Sequence, residues 1–421
     1  MFIHLDLDCF FVSAHRSVDS SFNDIPAAVG GRSNLNIFDR KKAVRHISSS
    51  SGAFVSSILS SNDDKSSKEY FVDDKGKVRG IITTCSYEAR KFGVKTAMSV
   101  NEALSLCPQL KMIPPDYPLY HDLSLRLAKL LENEVPLIEQ FSIDEFFCDV
   151  TGWIEDEYIY EFAQKLQTLV KEQLNLPISI GVAKTKWIAK LTTEFAKPIG
   201  IKVVRANEVD DFIKDIPIAK FPGIGKGYQE KLKSYGISTL GQIKAKRELF
   251  YSWKKPGIQL YNRVCGFESE SISLKKSKQS IGIGRTFDPI GQRDELLRRV
   301  NILCRYLCFL IIKAEVNPQT LSLQIRYEFN LKSKDYINTN RLFSESYLKE
   351  SMKALFIKND VHRTHNIMQI NISVSNFLEN RQNSLNLFEY ENDLKQAKLT
   401  SQIQKLRSKF GIDIIKNASE L

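Results

Sequence analysis

Two pairs of carboxylates stand where apolar stretches end. Asp6 and Asp8 follow the run Phe2–Leu5 (FIHL), and Asp144 and Glu145 lie inside FSIDEFFCDV at 141–150. Acids at adjacent strand ends can converge on one point, where hard oxygen donors suit magnesium or manganese. Two such ions can activate an attacking oxygen and stabilise a leaving phosphate in an in-line displacement. In a strand the side chain of residue 7 points away from that of Asp6, so Leu7 has its backbone carbonyl to offer a metal. From spacing alone, ordinary strand-end acids facing water fit as well. Asp8 is the weaker member of its pair, with solvent or a brace for the following turn as its alternatives.

The elements that must position these acids follow from periodicity. Strands are expected at 2–5, 27–29 and 81–84, and a helix from Tyr87 (YEARKFG) that Gly93 closes. Apolar residues at 119, 123, 127, 130 and 131 give helical spacing. The segment 141–150 fits two strands meeting at a turn, or one strand with acids near its end. A helix over 157–174, a strand over 178–182 and a helix over 186–195 follow. The stretch 205–270 reads as all-helical, with Pro222, Gly223 and Gly225 marking a tight turn. A polar, basic linker runs from 271 to 280. A helix near 293–314 with strands near 320–329 and 367–376 outlines a small α+β domain. The tail from 377 is polar, with an apolar island at 385–388 and a helical pattern around 394–410.

Residues 34–80 differ in character, with ten serines, nine Lys or Arg and six Asp or Glu. Such a composition buries little apolar area, so the segment reads as a largely flexible surface insertion. The 421 residues suit two to four domains, and 43% hydrophobic content excludes wholesale disorder. The longest apolar run, Leu303–Ile312, contains Arg305 and falls short of a membrane span. MFIHLDLD lacks the basic start and long apolar stretch of a secretion signal, so a soluble, intracellular protein is expected. The net charge of +11 points to a polyanionic partner. Seven cysteines without a CxxC pair argue against a disulfide framework or zinc ribbon and for buried thiols.

Five segments occur in an order that resembles the Y-family DNA polymerases: DLDCFFVSAH (6–15), YEARKFGVKTAM (87–98), FSIDEFFCDVTG (141–152), AKPIGIK (196–202) and FPGIGK (221–226). YEARKFGVK is the form of the DinB, or DNA polymerase IV, branch. The resemblance runs from residue 1 to about 380, interrupted by the insertion. It implies an α+β multidomain right hand: palm at 1–10 and 116–204, fingers at 11–115, thumb with a helix-hairpin-helix at 205–270, linker at 271–279, little finger at 280–378, and a tail at 379–421. It also implies error-prone, template-directed lesion bypass without proofreading, and a two-ion magnesium centre with manganese as an alternative. Asp6, Asp144 and Glu145 would then be side-chain ligands, with the Leu7 carbonyl.

The same resemblance distributes the remaining roles. Tyr87 and Arg90 share a helix face and, with Thr84, Lys197 and Phe10, would surround the nucleotide triphosphate. Phe11 would be the steric gate, a flat wall that leaves a ribose 2′-hydroxyl no room or partner; by periodicity alone it reads as core beside Phe10. Gly223, Gly225 and Lys226 would hold a DNA phosphate. Lys275, Lys276, Lys278 and Arg285 would track the duplex, in a segment (272–313) with nine Lys or Arg against three Asp or Glu. Leu385, Leu387 and Phe388, in SLNLF, resemble a bacterial sliding-clamp peptide, with Ser384 where glutamine is usual. Partners are thus primer-template DNA, deoxynucleoside triphosphates and a clamp, for a monomer in the cytoplasm. A two-metal nuclease is the alternative from another class, although it would need neither the triphosphate residues nor a sugar gate.

Overall fold

A computed structural model describes the chain except residues 34, 40–44, 48–57, 61–66, 74–75, 269, 274–277 and 379–387. The chain forms two compact units, one built on Met1–Gly31 and Phe71–Lys276, the other on Ser277–Leu421 together with Arg32–Ser50 and Val55–Tyr70. No helix among the described residues is long and apolar enough to cross a membrane. All seven cysteines are buried free thiols.

In the first unit β1 (Phe2–Leu7), α1 (Phe10–Val18) and β2 (Ala27–Gly31) open the chain. After β3 (Arg45–Ile47), β4 (Ile58–Ser60) and α2 (Ser67–Phe71) come β5 (Ile81–Cys85), α3 (Tyr87–Lys91), α4 (Val100–Leu106), β6 (Lys111–Ile113) and α5 (Tyr117–Glu134). The hairpin β7 (Leu137–Gln140) and β8 (Glu145–Asp149) follows, then α6 (Ile159–Leu174), β9 (Ile178–Ala183), α7 (Lys186–Ala196) and β10 (Ile201–Val204). Five of these strands form one sheet in the order β10-β9-β1-β8-β7. Its core takes residues from β1, α1, α5, α6 and β9. Of the two readings of 141–150, one strand with acids near its end is the one observed: Asp144 lies in the turn, Glu145 opens β8, and the partner strand β7 ends before the segment begins. The short strand β10 escaped notice because its four residues carry no alternation.

Strands β5-β2-β6 form a second, smaller sheet. Because β2 and β5 are antiparallel neighbours, with Val29 opposite Thr84, the insertion leaves and re-enters at adjacent strand ends. The rest of the unit is helical: α8 (Val209–Ile213), α9 (Lys226–Ser234), α10 (Leu240–Lys244), α11 (Arg247–Ser252) and α12 (Lys254–Cys265) share a core with α7.

The second unit packs α13 (Arg293–Lys313) and α14 (Glu345–Asn359) on one face of a four-stranded sheet. Its strands are β11 (Ser280–Ile290), β12 (Asn317–Tyr327), β13 (Lys332–Asn338) and β14 (Ile367–Leu378), in the order β11-β14-β12-β13. α15 (Tyr390–Phe410) begins just beyond the 379–387 segment and belongs to the same unit. Charged side chains seat it and the following residues: Arg407 pairs with Glu345, and Lys349 bridges Glu345 (2.7 Å) and Glu420 (2.6 Å). Arg305, 1% exposed, meets Asp413 at 3.0 Å. Buried charges persist only when paired in this way.

The insertion corrects one expectation. Ile37 and Phe38 are buried in the core of the second unit, where the Phe38 ring meets Phe287 edge-on at 6.3 Å and Arg299 lies over it at 4.6 Å. Phe71 is likewise buried, so close to Gly30 that a side chain there would stand 2.7 Å from the Phe71 ring. A composition averaged over 47 residues hides three apolar side chains at its margins. The serine run 48–51 lies outside the described residues.

Candidate active site

Strand register brings the two acidic clusters together. β1 lies between β8 and β9, with Asp6 opposite Glu145 on one side and Ser179 on the other. The Leu7 N–H donates to the Asp144 carbonyl at 3.0 Å, which hangs the β7–β8 turn on the end of β1. The Leu7 side chain is buried, leaving its main chain as the group it can offer the site. Ser142 donates to Asp144 at 2.5 Å and lies 3.3 Å from Glu145. Lys197, at the end of α7, donates to Asp6 at 2.9 Å and to Glu194 at 2.7 Å, while Lys190 on the same helix pairs with Glu145. Among the described residues no three His, Cys, Asp or Glu side chains stand in ligating geometry. The acids share one strand end, with an ammonium group on two of the three.

Burial makes this cluster uneasy when ionised. Desolvation, opposed by Lys197 and reinforced by Asp144 and Glu145, pushes Asp6 up to about 7. Burial also raises Asp144, against the Ser142 hydrogen bond. Burial alone would lower Lys197, yet Asp6 and Glu194 outweigh it and hold the ammonium charged. Asp6 therefore keeps its proton more tightly in the fold than in the unfolded chain. Between about pH 4 and about 7 the unfolded carboxyl is ionised while the folded one is not, so stability falls as pH rises and levels off above about 7. Three pKa units bound this contribution at about 4 kcal/mol. Urea unfolding of the metal-free protein across this range should show that slope, flattened in Asp6→Asn; equal slopes would show that Asp6 titrates normally.

Asp8 neither faces solvent nor belongs to the acidic cluster. It accepts from the Tyr87 hydroxyl (2.6 Å), the Ser179 hydroxyl (2.6 Å) and the Ile199 N–H (2.9 Å), while its own carbonyl accepts from Ser13 (2.6 Å). One buried carboxylate thus ties the end of β1 to α3 and β9, and the carbonyl of the same residue ties it to α1. The Tyr87 phenol, expected at a triphosphate, is engaged here, and its ring carries the Arg90 guanidinium at 5.0 Å. Thr84 is half-buried on β5, three residues earlier.

Phe10 and Phe11 open α1 after Cys9, whose left-handed backbone (φ 48°) turns the chain sharply out of β1. Phe10, only 2% exposed, sits in the core because the helix rotates it into the apolar interior. Phe11 stacks on Tyr120 of α5, centroids 4.1 Å apart and planes 6° apart, with Tyr117 edge-on at 6.4 Å.

In the helical part, Gly223 has φ +95°, a value that favours glycine, and a side chain there would meet nothing within 4 Å. Gly225 precedes α9 and Lys226 begins it, so the turn and the helix start lie open. Beyond it, the Ser273 N–H donates to Glu139 at 2.8 Å, and Glu139 pairs with Lys186 at 2.5 Å. Lys275 and Lys276 lie outside the described residues, as do Leu385 and Leu387. Lys278 and Phe388 are exposed.

Arg285 departs from its expected place on the duplex-tracking surface. Counting alternation from the buried Ile281 and Ile283, its side chain falls on the helix-covered face of β11. Its guanidinium donates to the Gly284 carbonyl at 2.7 Å, and burial lowers it to about 10. The other face of the sheet bears no helix and is polar: Gln324 and Arg326 on β12, Lys332 and Lys334 on β13, and Asn371 and Ser373 on β14. Gly284 makes room there, since a side chain on it would come within 1.5 Å of the Asn371 amide.

Residues 5–194 match the impB/mucB/samB family, 206–237 the HHH motif of the IMS family, and 278–387 the C-terminal domain of the impB/mucB/samB family. The Y-family DNA polymerase chimera Dbh-Dpo4(243-245)-Dbh superposes with a TM-score of 0.69 at 24% identity, covering 90% of this chain and 99% of that one. DNA polymerase IV of Shewanella frigidimarina (strain NCIMB 400) is 32% identical over 287 residues, 68% of each chain. The chain belongs to the Y-family DNA polymerases, in the DNA polymerase IV branch. DNA polymerase IV 1 of Bacillus subtilis (strain 168), 27% identical over 429 residues, extends the likeness to 99% of this chain and 92% of that protein. As a Y-family polymerase it is a DNA-directed DNA polymerase of the translesion class, dependent on divalent metal.

Three residues that touch the acids or Phe11 went unread in the sequence. Lys190 stands seven positions before Lys197, two turns along the same helix, and that spacing was a signal. Ser142 lies two residues before Asp144 in FSIDE. Tyr120 was hidden by the apolar spacing of its helix.

Proposed function

We propose that Asp6, Asp144 and Glu145, with the Leu7 carbonyl, hold two magnesium ions, manganese being the alternative, for error-prone addition of deoxynucleotides to a primer 3′-hydroxyl without proofreading. The register that sets Asp6 opposite Glu145, with the Asp144 carbonyl on the Leu7 N–H, carries this reading. The donor set fits hard cations: clustered carboxylate oxygens, raised by burial and mutual repulsion, with Lys190 and Lys197 as partial counter-charges. Bound metal would supply charge neutralisation at the reacting phosphate and a more acidic primer hydroxyl. Lys197 adds a fixed positive charge beside Asp6, and Arg90, positioned by the Tyr87–Asp8 contact, offers another toward the triphosphate with Thr84. Phe11 walls off the ribose 2′ position.

On this reading 1–10 and 116–204 are the palm, 11–115 the fingers, 205–270 the thumb and 280–378 the little finger. Backbone N–H groups at Gly223, Gly225 and Lys226 face a DNA phosphate, and the open face of the second unit, with Lys275, Lys276 and Lys278, tracks the duplex without reading sequence. Leu385, Leu387 and Phe388 dock a sliding clamp, and the polymerase acts as a monomer in the cytoplasm. Primer extension by the purified protein with magnesium and all four deoxynucleotides tests the reading. Template-directed lengthening is expected; shortening of the primer would mean a nuclease.

A further inference from the structure

Helix α1 meets the ring of Tyr120 through three side chains, Phe10, Phe11 and His15. Phe11 stacks on its face, and His15, one turn further on, shares a 2.8 Å hydrogen bond between Nε2 and the Tyr120 hydroxyl. Residues four apart share a helix face, so one helix grips a single ring of α5 at both its face and its polar end. The His15 ring also stands edge-on to Tyr120, centroids 5.7 Å apart at 83°. Tyr120 is fully buried, and Phe10 and Tyr117 hold its remaining sides at 6.0 and 5.9 Å.

Stacking fixes the separation of two planes but tolerates sliding within them. A hydrogen bond at the far end of the phenol removes that freedom. Burial keeps His15 below its ordinary pKa, against the pull of Asp116 and Asp19, so it meets the phenol as a neutral ring. The bond is thus one between neutral groups, directional and inside a largely dry cluster.

We propose that His15 is a positioning residue for sugar discrimination: through Tyr120 it fixes where the Phe11 ring stands. The inference rests on the reading of Phe11 as the gate, and the test separates the two. The readout is the ratio of kcat/KM for a deoxynucleotide over its ribonucleotide, on one template, for wild type, Phe11→Ala, His15→Leu, His15→Gln, Tyr120→Phe and the His15→Leu/Tyr120→Phe double variant. His15→Leu and Tyr120→Phe should each lower the ratio about fivefold, the factor that one neutral hydrogen bond supplies. The double variant should lose no more than either single one, and His15→Gln, which retains a polar group at that position, should recover most of the ratio.

If Phe11→Ala collapses the ratio while His15→Leu and Tyr120→Phe leave it unchanged, the gate stands and the role of His15 is refuted. Multiplicative losses in the double variant would refute it too, since His15 would then act by another route. If Phe11→Ala itself changes nothing, the gate reading fails and takes this inference with it. Should His15→Leu melt early, Tyr120→Phe decides, because it removes the same hydrogen bond and leaves α1 intact.

Discussion

Replacing Asp144 and Glu145 together with alanine should leave the primer unextended, a fall on the order of 10³-fold or more in turnover. Both carboxylates would be lost from a site that retains only Asp6, already paired with Lys197. Folding should survive. Glu145 is matched by Lys190 near the surface, and removing it also removes a charge that repels Asp6. Duplex binding, measured by fluorescence anisotropy, should stay within a few-fold, because the 221–226 turn and the second unit are untouched. Extension within tenfold of wild type would mean that the chemistry uses other ligands.

The second large effect concerns the sugar. Phe11→Ala should raise ribonucleotide incorporation by roughly 10²-fold, the scale on which an apolar wall rejects an added hydroxyl, while deoxynucleotide addition remains measurable. Phe11 is 5% exposed and stacked, so its truncation also costs about 3 kcal/mol of stability. Assays therefore belong well below the melting point of the variant, checked by circular dichroism. Single-nucleotide insertion kinetics with matched deoxy and ribo substrates give the ratio directly, and an unchanged ratio would remove the gate.

What the sequence made legible and what it concealed divide along physical lines. Asp6 and Asp144 could be read because acids that break apolar runs are conspicuous, whereas the alternation over 141–150 left its turn and strand undivided. α14 and β13 were missed. KSKDYIN lies at the sheet edge with one apolar side chain to alternate, and α14 buries Glu345, Lys349 and Asn359 among its apolar residues, which blurs its stripe. α15 was legible as the helical pattern around 394–410, although Arg407 and Gln404 are buried within it. Arg285 was misplaced because a charge count ignores which face of a strand a residue occupies. Asp8 could not be assigned because its three partners lie up to 191 positions away in the chain.

The burial of Ile37 and Phe38 in the second unit has a temporal side. Synthesis delivers them near the start, whereas Phe287 and Arg299, which cover Phe38, emerge roughly 250 residues later, on the order of tens of seconds at ordinary elongation rates. Throughout that interval the ribosome-bound chain carries an apolar pair without its partners, whereas β1 gains β8 and β9 part-way through it. The serines and charges around the pair have a use in that window, since they keep a waiting docking segment in solution. The core of the second unit thus closes over residues made long before the rest of it.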